Sequence, residues 1–233
     1  MKVILLQATP DPLKAVAKAA RLCYSSSNIM DLVNTDSAEE EAELVARIVS
    51  LGHHSVLEHA SFTFGIEGIS RVTSHQLVRH RIASYSQQSQ RYVKQKGQFP
   101  YLIPPTIQNN PGLRIEYEKM MGTIQQLYDK CISQDIPAED ARYLLPNACE
   151  TKVITTMNAR ELRHFFRLRC CRRAQWEIRE MAKQMLRLVI EKAQALFQDA
   201  GPTCLVGQCP EGSLGCGNPE EVRIEFRYLL DKH

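Results

Sequence analysis

Fourteen residues, Arg79 to Tyr92 (RHRIASYSQQSQRY), hold the side chains of this chain best suited to chemistry on an anion. Arg79, His80, Arg81 and Arg91 are cationic or titratable. They stand among the hydroxyls and amides of Ser84, Tyr85, Ser86, Gln87, Gln88, Ser89 and Gln90. A solvated surface balances its cations with Asp or Glu, yet no carboxylate occurs between Arg71 and Glu116. A glycine-free run rich in fixed donors suits a site that holds phosphates and a polar heterocycle in set geometry. Just upstream, Gln76, Arg79 and His80 fall at i, i+3 and i+4, one face of a helix that continues into the run. A solvated polar face is the plainer reading of that triplet.

A second concentration of charge lies between Arg160 and Arg187, where eight arginines meet only Glu161, Glu177 and Glu180. Leu162, Phe165, Phe166 and Arg169 share helical spacing, which puts Arg169 on an apolar stripe. A guanidinium there requires an anion or several acceptors. Its partner is either a bound ligand or an internal carboxylate such as Glu58 or Glu150. Asn158, eleven residues back on the same face, would extend a polar row lining a cavity.

His53, His54, Glu58 and His59 invite a metal reading, but their spacing is not H-E-x-x-H. Gly52 ends the preceding helix and Ser55 with Glu58 has capping-box spacing, so a helix start is the plainer reading and no metal is expected. Cys204, Cys209 and Cys216 lack C-x-x-C spacing and read as free thiols in a loop, a loose metal site or redox pair being the alternatives. No G-x-G-x-x-G or G-x-x-x-x-G-K-S/T occurs, so side chains must hold any phosphate.

The elements that must position these groups are legible from periodicity. Lys2–Gln7 reads as a buried strand, followed by a helix over about 12–24. Ser37 and Glu40 form a capping box for a helix that Gly52 stops. Ser61–Glu67 alternates as a half-buried strand, and Ser70 caps a helix to about Arg81. An irregular connection with four prolines covers 98–112, followed by helices over 113–133 and 137–145 and a strand over 151–156. The longest helix starts at Asn158, with Glu161 as reciprocal cap, and runs to about Phe197. After the loop 201–219, Glu221–Tyr228 alternates as a strand, with a helix as the alternative. Strands and helices mix without a βαβ rhythm, so the class is α+β, an antiparallel or mixed sheet against several helices. The chain reads as one domain over 1–233.

Composition narrows the function. With 233 residues and 44% hydrophobic content the chain can bury one substantial core. No stretch approaches the ~20 apolar residues of a membrane span, and the start lacks a signal peptide, so a cytoplasmic protein with reduced thiols is expected. A net charge of +3 creates no global field for gathering nucleic acid. The positive charge is local.

The run from Arg79 resembles the RHR-x-x-S-x-N/S-x-x-S-x-R signature of the flavin-dependent thymidylate synthases (ThyX). Three further blocks agree in order. Gly52-His53-His54-Ser55 with Glu58-His59 and Phe62-Thr63-Phe64 is similar to the family's G-H-x-S/T…E-H…F-T-F. Arg142 with Leu144-Leu145-Pro146 resembles A-R-x-x-L-P. Asn158-Ala159-Arg160-Glu161-Leu162, then Leu168-Arg169, then Ala174-Gln175-Trp176-Glu177-Ile178 resemble N-A-R…L-R…A-Q-W-E-I. The blocks span 52–178, and the cysteine loop 201–219 has no counterpart among them.

The resemblance implies conversion of dUMP to dTMP, with methylenetetrahydrofolate as carbon donor, FAD as hydride carrier and NADPH as reductant. It also implies a homotetramer with active sites shared between subunits, acting on small molecules without a nucleic-acid or membrane partner. FAD contacts fall on Ser55, Arg79, His80, Arg81 and Gln87, with Asn158, Arg160 and His164 completing the shell. For dUMP the resemblance implies Gln76, Leu77, Val78, Arg79 and the run Gln87, Gln88, Ser89, Gln90, with Arg91 and Arg142 as clamps. Arg169 is the catalytic group, stabilising ionised uracil, and His53 sits toward flavin and folate. No cysteine nucleophile is implied. Ser86, Gln87 and His164 depart from the commoner Asn, Glu and Asn, and Gln87 removes a negative charge. Two rivals remain: a basic-groove RNA or nucleotide binder, and a flavoprotein acting on a nucleotide without folate. The colour of the purified protein separates the first.

Overall fold

Phe62, Phe64 and Ile66 turn alternate side chains into a core, and the computed structural model builds an antiparallel sheet around that strand. The structure describes residues 1–31, 37–95 and 97–231. Strands β1 (Lys2–Ala8), β2 (Ser61–Ser70), β3 (Ala83–Gln87) and β4 (Glu150–Asn158) lie in the spatial order β1-β2-β4-β3. Three backbone bonds mark the register: Thr9 N–H to Ser61 O, Ala159 N–H to Ala60 O, and Gln88 N–H to Lys152 O, at 2.9, 2.8 and 2.9 Å. The helices are α1 (Pro12–Leu22), α2 (Ala38–Ser50), α3 (Arg71–Leu77), α4 (Pro105–Gln108), α5 (Pro111–Ser133), α6 (Ala138–Ala141), α7 (Ala159–Arg169), α8 (Trp176–Phe197) and α9 (Pro219–Asp231). The fold is α+β. Among the described residues no helix is long and apolar enough to cross a membrane.

Contacts gather the chain into two compact units interleaved in sequence. The first comprises Met1–Lys2, Ile66–Arg79 and Ser86–Val153. Its core is Phe99, Met121 and Cys149, flanked by Tyr101, Tyr117, Ile124 and Leu145. Buried Gln125 on α5 fixes the entering chain: its Oε1 accepts the Phe99 N–H at 2.8 Å. The second unit comprises Val3–Gly65, His80–Tyr85 and Ile154–His233. Its core is aromatic, with Phe166 on α7 edge-on to Phe165 and to Phe197 of α8, and Phe197 edge-on to Phe62 of β2.

Several elements differ from the sequence expectation, each for a local reason. The single helix over 158–197 is two. Asn158 Oδ1 accepts the Glu161 N–H to start α7, while Gln175 Oε1 accepts the Glu177 and Ile178 N–H groups to start α8. A turn closed by Ala174 N–H on Cys171 O separates them. The cap at Asn158 is not reciprocal, because the Glu161 carboxylate turns to His80 instead. The helix expected to reach Arg81 ends at Leu77. The chain then turns through Val78 and Arg79 into β3, an element that the polar run concealed. Gln76, Arg79 and His80 therefore share no helical face: the first is half-buried, the second exposed and the third buried.

Residues 221–228 lie in α9 rather than a strand. The proline-rich connection contains α4, and α5 begins at Pro111 because Asn110 caps Leu113 N–H. Ser55 caps nothing. The chain from His54 to His59 is a 3-10 turn without a side-chain cap, and Glu58 pairs with Arg160 at 2.5 Å.

Phe166 is fully buried at the junction of α7 and α8. Phe166→Ala should lower unfolding free energy by ~3–5 kcal/mol, read by urea denaturation, because a ring-sized void is left among stiff aromatic neighbours. A loss under ~1 kcal/mol would mean that the site collapses freely.

Candidate active site

In the second unit the site is organised by a buried imidazole. His80 is 4% exposed and sits edge-on to Phe165, with ring centroids 4.9 Å apart. Arg169 Nε donates to His80 Nε2 at 3.0 Å. A guanidinium can only donate, so Nε2 carries the lone pair and the ring proton sits on Nδ1. That proton points to Glu161 Oε1, 3.2 Å away on a side chain in a residue only 6% exposed. Three groups from two segments thus form a line: carboxylate, neutral imidazole, guanidinium. The chemistry of the end donor fixes the tautomer.

The charges agree with this order. Burial, then the Arg169 charge, then His164 pull the His80 pKa down to about 4, so the ring is neutral near neutral pH. Its contact with Glu161 is a hydrogen bond rather than an ion pair. Burial pushes the Glu161 carboxyl up, with His164 opposing, and burial pulls the Arg169 guanidinium down. Tyr85 O–H closes the arrangement by donating to the His80 carbonyl at 2.7 Å. Burial and then Glu161 raise that phenol, so it stays protonated and keeps donating.

Concavities run along this unit. His53, Ser55 and Arg160 line a cavity of about 390 Å³, and Arg160 also lines one of about 780 Å³ together with His164. His164 in turn borders a third, of about 650 Å³, lined also by Arg169, Arg167 and Cys171. Arg160 thus lines the first two of these concavities and His164 the last two. His53 Nδ1 meets Tyr24 O–H at 2.9 Å, and His54 Nε2 meets Val49 O at 3.3 Å. Among the described residues, His80, Glu161 and His164 are the only group with three potential metal ligands within 4.8 Å. The Arg169 cation already occupies one nitrogen of that ring, which makes the group a hydrogen-bonded line rather than a cation cage.

The first unit holds the rest of the polar run. Gln87 Nε2 donates to Ser74 Oγ and Thr151 Oγ1, at 3.0 and 3.1 Å. Gln90 Nε2 contacts Cys149 Sγ at 3.6 Å, and Ser89 Oγ accepts the Arg91 N–H. Arg91 and Arg142 converge on one residue. Arg91 Nε holds the Glu139 carboxylate at 2.9 Å, and Arg142 Nε donates to the Glu139 carbonyl at 3.1 Å. Arg71, whose guanidinium is lowered mainly by burial and also by Arg142, adds a third cation nearby. Gln88 is exposed, Leu77 is buried, and Val78 is exposed beside Arg79.

The comparisons with known proteins decide the family. The family model described as thymidylate synthase complementing protein matches residues 4–193. A protein of Geobacter sulfurreducens named flavin-dependent thymidylate synthase is 58% identical over 98% of this chain and 99% of its own. Proteins of the same name from Clostridium tetani and Pyrococcus horikoshii are 48% and 43% identical, covering 96% and 100% of both chains.

The chain belongs to the flavin-dependent thymidylate synthase family.

Within that family frame, the structure places His53, Ser55, Arg160, His164 and Arg169 on the walls of these neighbouring cavities, and Arg91 with Arg142 around Glu139. Arg81 is exposed, and Asn158 spends its Oδ1 on the α7 cap. Of the two internal carboxylates weighed for Arg169, Glu58 is taken by Arg160. The sequence reading missed what Glu161, Tyr85 and Glu139 do. Only the capping-box spacing drew attention to Glu161, and it pointed to the wrong partner. All eight cysteines are free thiols, and Cys171, Cys204 and Cys209 border the Arg169 cavity.

The neutral His80 ring ties stability to pH. Its folded pKa of about 4 lies below the ordinary 6.5, so between those values the unfolded chain binds the extra proton. Stability should therefore fall as pH drops from about 6.5 to about 4, by up to ~3 kcal/mol from this group. His80→Gln should flatten that part of the melting-temperature profile. An unchanged slope in the variant would assign the loss to other groups.

Proposed function

We propose that this chain methylates dUMP to dTMP, taking the carbon from methylenetetrahydrofolate and the hydride from FAD, which NADPH re-reduces. The reading rests on family membership. The observation that carries it to particular atoms is the half-buried Arg169 guanidinium at the end of α7, which borders a cavity and whose Nε donates to a neutral imidazole. A permanent cation in a partly dry site stabilises negative charge developing on the uracil imide, and its planar shape matches the O–C–N edge of the ring.

FAD fits the residues present. The cavities at His53, Ser55, Arg160 and His164 offer polar and cationic walls to a flavin nucleotide, and Arg79 and Arg81 are exposed cations for a pyrophosphate. When bound, FAD supplies the hydride chemistry, while the chain orients and excludes. Arg91 and Arg142 suit the dUMP phosphate, which would take over the role that Glu139 plays toward Arg91. Gln76, Leu77, Val78, Gln87, Gln88, Ser89 and Gln90 complete the dUMP shell. Active sites shared between the subunits of a homotetramer do not require all these groups to meet within one chain.

Arg169→Lys keeps the charge but loses the planar donor set. It should retain FAD while losing ~10²-fold in dTMP formation or dUMP affinity, the scale of one well-placed electrostatic stabiliser. Wild-type turnover per folded, flavin-bound site would remove Arg169 from the reaction. The reading also requires no enzyme thiolate. Burial raises the Cys204 thiol at the Arg169 cavity and, more strongly, the Cys170 thiol, which keeps both protonated. A variant with all eight cysteines replaced by Ser or Ala should still form dTMP. Complete loss in a folded, flavin-bound preparation would favour a cysteine nucleophile instead.

A further inference from the structure

We propose that Cys171, Cys204, Cys209 and Cys216 form a tetrathiolate zinc site that staples the loop 201–219 to the turn between α7 and α8. Neither flavin nor dUMP enters this assignment.

The loop lacks the apolar burial that holds ordinary connections in place. Across residues 206–218 every residue is exposed except Cys209, Gly215 and Cys216, while Val206 and Leu214 stand 69% and 68% exposed. The side chains that turn inward there are therefore two thiols. Cys204 is buried at the start of the loop, and it lines one cavity together with Cys209 and with Cys171 of the α7–α8 turn. Cys204 lies close enough to Cys171, Cys209 and Cys216 for their charges to interact. Cys209 Sγ rests 3.5 Å from where a β-carbon on residue 215 would stand, beside the residue that precedes Cys216. A segment with so little core needs a cross-link.

Polar contacts already bring the two segments together. Arg173 pairs with Glu211, each two residues past a thiol, Cys171 on one side and Cys209 on the other. Arg167 Nε donates to Thr203 Oγ1 at 3.0 Å, and Arg223 of α9 donates to the carbonyls of Cys204 and Gly207 at 2.8 and 3.1 Å. Gly217, at a φ of 77°, lets the chain reverse directly after Cys216.

Four sulfurs are the ligand set of a closed, tetrahedral zinc site. Zinc–sulfur bonds of about 2.3 Å put neighbouring sulfurs about 3.8 Å apart. The thiols stand wider than this, since no three of them lie within 4.8 Å of one another. Closing the site takes rotation of the cysteine side chains and a short inward movement of the loop. Four thiolates around a dication leave two net negative charges. Arg167 and Arg173 on the cavity wall, with Arg172 near Cys216, supply the field that such a complex needs. A disulfide is neutral and gains nothing from that field. Burial, then the neighbouring thiols, keep Cys204 protonated in the metal-free chain, so zinc must displace protons and should bind more weakly as pH falls.

The test uses the full-length chain, expressed without a metal-binding tag, stripped by a chelator with a thiol reductant, and titrated with zinc or cobalt(II). It should bind zinc in equimolar amount, and cobalt should give an intense thiolate-to-metal charge-transfer band. Replacing Cys209 and Cys216 together by Ser should weaken zinc binding by more than ~10²-fold, beyond the loss of an outer-shell partner. Replacing Cys23 and Cys131, which lie outside the cluster, should leave it unchanged. Zinc should raise the Tm of the stripped protein by ~5–15 °C.

No binding at micromolar zinc, cobalt binding without the thiolate band, or full affinity in the Cys209→Ser, Cys216→Ser variant would each overturn the proposal. So would a disulfide among these four residues in anaerobically purified protein, and a Tm that zinc leaves unmoved would overturn the stapling. Should the double variant fail to fold, alkylation of the wild-type chain decides. Iodoacetamide should spare the four cysteines in the zinc-loaded protein and modify them in the stripped one, and equal labelling overturns the site.

Discussion

The hydrogen bond from Arg169 to His80 is the constraint on which the second unit depends. A donor-only cation meeting an imidazole leaves one protonation state for the ring, and that state demands an acceptor on the far side. Glu161 meets the demand from the first turn of α7, so the helix carrying the cation also carries the carboxylate that fixes its partner. Desolvation makes the steps costly to violate: His80 and Glu161 are buried, so a charged ring or an unpaired carboxylate would be stranded away from water. The tight packing of α7 on α8 is what keeps that penalty high.

The first unit handles charge in the opposite way. Arg91 and Glu139 are about half exposed, and the pair is held by geometry at the surface rather than by exclusion of water. Such a pair contributes little to stability, on the order of 0–1 kcal/mol, and is readily exchanged for another anion. One unit thus holds a cation rigidly, while the other holds cations that can change partner. A rigid group suits charge that develops within a reacting ring, and an exchangeable pair suits a phosphate that arrives and departs.

The sequence made the functional residues far more legible than the elements that carry them. Their types and spacing marked the run from Arg79 and the stripe to Arg169 before any element was placed. Periodicity also found β1, β2, β4 and most helices. It failed at β3, because Ser84, Tyr85, Ser86 and Gln87 alternate in exposure without alternating in polarity, so the pleat leaves no hydrophobic trace. It joined α7 to α8 because the break depends on a Gln cap, and glutamine carries no strong N-cap signal. It read Glu161 as a reciprocal cap because local spacing cannot reveal that a residue eighty-one positions away offers a better partner.

Helix α7 works as a measuring rod. From the cap at Asn158 through Glu161 and His164 to Arg169, each polar group is set at its height and azimuth by a rise of ~1.5 Å and a turn of ~100° per residue. Substitutions along it alter one group at a time. A single inserted or deleted residue within it would instead swing every later group by more than a quarter turn and bring apolar positions onto the wrong side. A change of length would be absorbed more easily in segments that carry no such ruler, such as the stretch between Pro202 and Pro219. The spacing of α7 is heritable information of a different kind from its composition: it is a distance, written in residues.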